Sequence, residues 1–192
     1  MTKLQVGTIR HATGSGTISL PAYNKIRGID VGSIRSPGMV LQSSFLRTDT
    51  KAAYTAGVGV NTEVTDLTIS ITPKYDTSLI WLTYMVSFEM HHDTIFRLSR
   101  NGTVIGTNTT DSGRWSGWAV PGYDVDNNST MRRNHHIYID NPATTSTLTY
   151  RFLVSASGGT AYTFYLNRTI GAVGQASYEA AISHVLVQEI AQ

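Results

Sequence analysis

Apolar and polar residues alternate along much of this chain with a period of two, the rhythm of half-buried strands. It is plain at residues 66–72, where Leu67, Ile69 and Ile71 alternate with Thr68, Ser70 and Thr72 before Pro73 ends the segment. Residues 79–90 break the rhythm, because the run Leu-Ile-Trp-Leu-Thr-Tyr-Met-Val-Ser-Phe-Glu-Met is almost continuously apolar. Such a strand is covered on both faces, or its second face meets another subunit.

Further strand-like segments at 39–45, 52–57, 95–100, 103–106, 135–140, 148–156, 162–167 and 183–190 are separated by turn residues at the spacing of a sandwich. Asn101-Gly102 is a strong hairpin signal, since both residues tolerate the positive φ of a type I′ turn. Residues 107–130 are polar and read as surface loops with one short strand. A weak helical period at 176–182 is read as a loop leading into the last strand. The expected fold class is an all-β, antiparallel β-sandwich over residues 38–192. Residues 1–37 differ: two short alternating stretches flank the turn His11-Ala-Thr-Gly-Ser-Gly. A lone two-stranded ribbon is at best marginally stable in water, so this extended, β-rich N-terminal arm needs a partner.

Composition narrows the function. Over 192 residues, a hydrophobic content of 41% is enough for a core, whereas the charged fraction of 15% leaves a surface of Thr, Ser and Asn. A formal charge of +2 with scattered Lys and Arg provides no field for tracking phosphates, so nucleic-acid binding is not expected. The absence of Cys excludes disulfide scaffolds, thiolate metal sites and cysteine catalysis, and leaves packing or oligomerisation to supply stability. No window approaches the roughly 20 apolar residues of a membrane helix, and the first residues lack a signal-peptide core. Synthesis in a cytoplasm is therefore expected, without membrane insertion. The sequons at Asn101, Asn108, Asn128 and Asn167 are then by-products of composition.

Candidate chemistry is sparse. The pairs His91-His92 with Asp93 and His135-His136 with Asp140 concentrate potential metal ligands. Adjacent residues of a strand point to opposite faces, however, so each pair offers at most one ligand per face unless a bulge intervenes. The two pairs on neighbouring strands, or copies about a threefold axis, could still make a site, but the expected reading is polar positions at a strand end or subunit contact, and no metal is assigned. Residues 124–130 superficially resemble a calcium loop, but Ser129 stands where the sharp-turn Gly belongs and His135 where the bidentate Glu belongs. No nucleophile elbow, phosphate loop or zinc helix occurs, and Glu63, Glu89, Glu179 and Glu189 are isolated. No catalytic residue, enzyme activity or cofactor is expected. Trp115, Trp118 and Tyr123 on polar loops form the candidate ligand-binding surface, since aromatic faces stack on sugar rings and anchor interfaces. The alternative is that the tryptophans cap the open end of the sandwich or fill a subunit contact.

Taken whole, the chain resembles a group of short structural proteins of tailed bacteriophages, of the cyanophage and marine phage type. The resemblance is carried by Leu4-Gln-Val-Gly-Thr-Ile, Gly16-Thr-Ile-Ser-Leu-Pro, Asn24-Lys-Ile-Arg-Gly-Ile-Asp-Val-Gly-Ser-Ile and Pro37-Gly-Met-Val-Leu-Gln. It continues in Val64-Thr-Asp-Leu-Thr-Ile-Ser-Ile-Thr-Pro-Lys, Phe96-Arg-Leu-Ser-Arg-Asn-Gly-Thr-Val-Ile-Gly, Ile139-Asp-Asn-Pro-Ala-Thr-Thr-Ser and residues 167–178. Residues 115–128 share no pattern with the group. The resemblance implies a C1q/TNF-like jelly roll, a homotrimer carried on the virion and assembled in the host cytoplasm. Its arm, residues 1–37, would dock to other virion structural proteins of the tail or capsid. A tail-fibre, host-recognition role is expected, with a host surface glycan as partner; the alternatives are a capsid decoration (cement) protein and a glycan-binding or glycan-cleaving domain. Trimer contacts are expected on apolar strand faces such as residues 80–88 and 184–187.

Overall fold

The computed structural model describes residues 35–107, 113–122, 130–170 and 178–192. The expected arm lies almost entirely outside them, as do Tyr123 and most of the calcium-like loop. The described residues form eleven strands: β1 (Val40–Thr48), β2 (Ala52–Ala56), β3 (Thr62–Glu63), β4 (Ile69–Ile71), β5 (Leu79–Glu89), β6 (Thr94–Arg100), β7 (Thr103–Ile105), β8 (Arg132–Asp140), β9 (Leu148–Ala156), β10 (Tyr162–Leu166) and β11 (Ser183–Ile190).

All pairings between named strands are antiparallel and they build two sheets. In the first, β5 is central. One of its edges pairs with β8 from Ile80 to Phe88, and the other with β11 from Leu79 to Met85 and then with β10 at Phe88 and Glu89. β1 lies outside β11, and β2 outside β10. The second sheet runs β3-β9-β6-β7, with β4 also on β9. Apart from the β6–β7 hairpin, neighbouring strands come from distant parts of the chain, and the result is the all-β sandwich expected from the alternation, jelly-roll-like as the resemblance implies.

The core lies between the sheets. Ile80, Leu82, Tyr84, Val86 and Phe88 of β5 all point inward and are buried. Phe88 stacks on Phe164 at 5.4 Å and meets Phe96 of the opposite sheet edge-on at 5.1 Å. Each such side chain contributes about 1.5–3 kcal/mol on burial, so the aromatic layer dominates cohesion. The Asn101-Gly102 hairpin forms as expected, with φ of 49° and 87° and Arg100 opposite Thr103. Leu67 differs from expectation: it sits in a 3₁₀ turn, Thr65–Leu67, and reaches the core from there. The sequon residue Asn167 is buried; its amide donates to the Thr48 and Thr50 carbonyls and its Oδ1 accepts from Ser183 Oγ at 2.6 Å.

The sheets are clasped at one end. Arg100 of β6 donates to both oxygens of Asp140 on β8, at 2.9 Å each, and the buried Tyr150 hydroxyl of β9 donates to the same carboxylate at 2.7 Å.

Candidate functional site

Register decides which residues the first sheet shows to the outside. Phe45, Leu186, Thr83 and Ile137 form one row across β1, β11, β5 and β8, and Ser43, Gln188, Trp81 and Ile139 form the next. A third row holds Arg47, His184, Met85 and His135. Phe45 is 61% exposed, Trp81 37%, Ile137 47% and Ile139 49%. The first two rows span about 14 Å by 20 Å and hold these four exposed apolar side chains together, as interaction surfaces do. The first two rows carry no charged side chain.

This resolves the apolar run at 79–90 into two faces. Its even positions make the core, and Trp81, Thr83 and Met85 make the centre of the outer face. His184 and Leu186 face outward likewise, while Val185 and Val187 are buried. His184 stacks on Phe45 at 5.5 Å, and its Nδ1 is buried without a hydrogen-bond partner among the described residues.

The two described aromatic candidates have different surroundings. Trp118 lies half-buried at the sandwich edge, 5.5 Å from the Tyr84 ring and 5.1 Å from His136, and its indole N–H donates to the Ile137 carbonyl at 3.2 Å. Trp115 is 47% exposed, and its ring rests against Gly59, where a Cβ would come within 3.2 Å of it. Gly59 has φ +68°, so both the conformation and the contact call for glycine. Periodicity could not have sorted these two, because the segment 113–122 forms no ladder beyond the bridge from Ala119 to Phe96.

The two histidine pairs stay separate. His91 and His92 lie in the turn between β5 and β6 rather than on a strand, and their rings stack at 4.1 Å instead of pointing apart. With Asp93 their ligand atoms lie within 4.8 Å of one another. The His91 ring also stacks on Tyr162 at 4.0 Å, and its Nδ1 accepts the Asp93 N–H at 3.1 Å, so part of the donor set is already engaged. His135 and His136 alternate on β8 as a strand requires. His136 packs against Phe96 and Trp118, where burial, and then the charge of His135, push its pKa below the ordinary value.

The buried carboxylates are tied to their own loops. Glu89 accepts from Thr130 Oγ1 and the Ile170 N–H. Glu189 accepts from Ser78 Oγ, Gln42 Nε2 and the backbone of Lys74 and Tyr75. Compared with known proteins, the chain matches no family model and no curated protein.

Proposed function

We propose that this chain is a non-enzymatic structural protein of a virion, a homotrimeric jelly-roll knob docked to the particle through its N-terminal arm and serving host recognition. The observation that carries the oligomer is the outer face of the first sheet, where Phe45, Trp81, Ile137 and Ile139 stand exposed on β1, β5 and β8. The first two rows of this face carry no charge and so meet no like-charge repulsion from the same rows of another copy, which favours self-association over a partner chosen by charge. The resemblance of the whole chain to short phage structural proteins supports the virion setting and the threefold state. The hydrogen bonds that Glu89 and Glu189 accept from their own chain favour a structural role over a glycosidase pair.

Light scattering on the purified protein at micromolar concentration tests this reading: a trimer is expected, and a monomer overturns it. Ile139→Glu places a charge in each contact, with a desolvation cost of several kcal/mol, and is expected to yield folded monomers.

A further inference from the structure

We propose that the outer face of the second sheet binds an acidic saccharide, seating a sugar carboxylate on Arg97 beside the exposed ring of Trp115. This deepens the host-recognition part of the proposed function and rests on it for a surface polysaccharide as the source of the ligand.

A concavity of about 550 Å³ opens on this face, with Asn61, Glu63, Ser99, Asn101, Thr149 and Arg151 among its walls. Val104 and Leu153 add apolar surface, so the lining mixes polar groups with apolar patches as a pyranose does. Register places Arg97 on the same face: it lies opposite Leu153, and Ser99 lies opposite Arg151. Arg97 donates through Nε to the Ser116 carbonyl at 2.9 Å and through Nη1 to Asn61 Oδ1 at 2.7 Å. Both partners are neutral, and burial pulls the Arg97 pKa below its ordinary value. A half-buried cation with neutral partners favours an added anion. A guanidinium has five N–H donors in a planar fork, so Arg97 retains capacity for a bidentate carboxylate.

The neighbouring charges leave that demand in place. Arg151 pairs with Glu63 at 3.1 Å, so this ion pair offsets itself and Arg97 supplies one net positive charge. The two groups holding Arg97 also lead to Trp115. Ser116 is its chain neighbour, and Asn61 lies two residues after Gly59, on which the Trp115 ring rests. The two segments that hold Arg97 are thus the same two that hold the aromatic platform. One net charge amid neutral hydrogen-bonding groups suits a sugar acid better than a polyphosphate backbone, which needs several cations in line.

The test is titration of the trimer with tetramers of galacturonate, glucuronate and mannuronate, and with neutral maltotetraose, followed by tryptophan fluorescence and calorimetry. Binding of at least one uronate tetramer without binding of maltotetraose is expected. Arg97→Gln is expected to weaken it about 10- to 100-fold, as loss of a charge-assisted bidentate contact does. Trp115→Ala leaves the guanidinium in place and is expected to weaken it about 3- to 10-fold. No binding of any uronate at millimolar concentration, equal binding of maltotetraose, or unchanged affinity in a folded Arg97→Gln or Trp115→Ala protein overturns the proposal. Light scattering on the same samples separates the two readings: an intact trimer that binds no uronate sinks only the saccharide site, and a monomer that binds uronate sinks only the oligomer.

Discussion

The outer faces of the two sheets share one core and one antiparallel grammar, yet they carry opposite chemistry. The first shows Phe45, Trp81, Ile137 and Ile139 on β1, β5 and β8, in two rows that carry no charge. The second shows Arg151, Glu63 and Asn61 around a concavity, with Arg97 on the same face and bonded to Asn61. Inward positions of both sheets must be apolar to make the core, whereas outward positions are free to differ, so function is to be sought in the outward set. The apolar face suits copies of the chain; the polar face suits a small hydrophilic ligand.

The largest effect is expected where the two sheets are joined. Asp140 of the first sheet accepts from Arg100 and Tyr150 of the second, so Asp140→Ala leaves a guanidinium and a buried hydroxyl without their shared acceptor. The expected loss, measured by urea unfolding, is about 2–4 kcal/mol, set below that of a fully enclosed pair because Arg100 is partly exposed. Both faces should weaken together. Loss of association with uronate binding intact would show instead that each sheet holds its face alone.

A smaller effect sharpens the contrast through two residues three apart. Trp118→Ala removes a half-buried ring and the indole donor to Ile137 of β8, the strand that carries Ile137 and Ile139. It should cost about 2–3 kcal/mol and reduce association. Trp115→Ala, at a ring that is 47% exposed, should change stability by no more than about 0.5 kcal/mol. Thermal unfolding of the two proteins side by side checks both, and equal losses would contradict the division.

Much of the sandwich was legible from the chain, because strands leave a period-two pattern and Asn101-Gly102 can hardly be anything but a tight turn. The inner and outer halves of residues 79–90 were not separable, since Trp81 and Met85 are as apolar as Leu82 and Val86; only register against β8 and β11 assigns them. β3, two residues long, carries no pattern at all. The polar concavity was invisible for another reason: Glu63, Ser99 and Arg151 come from three strands far apart in sequence, and Glu63 read along the chain is an isolated acid. In the 113–122 loop no ladder orders the side chains, so Trp115 and Trp118 looked alike.

The smallest expected effect is confined to one end of the first sheet and turns on Glu189. Burial alone would raise the pKa of this carboxyl, but the hydrogen bonds from Ser78, the Lys74 N–H, Gln42 and the Tyr75 N–H outweigh it and hold the value below the ordinary 4.5. A carboxylate with a depressed folded-state pKa contributes stability that is complete above its unfolded value and is lost as pH falls through the folded one. Its donors belong to residues 74–78, which lead into β5, and to β1, so acid should loosen the end where β1, β11 and β5 meet. Hydrogen exchange at pH 3 against pH 7 should therefore show protection lost first at residues 74–80 and 187–190, while residues 97–99 and 149–153 of the second sheet stay protected. Glu189→Gln, which keeps the shape and removes the charge, should flatten that difference. Simultaneous loss on both sheets would mean that acid acts on the whole sandwich, and that the two faces do not respond separately.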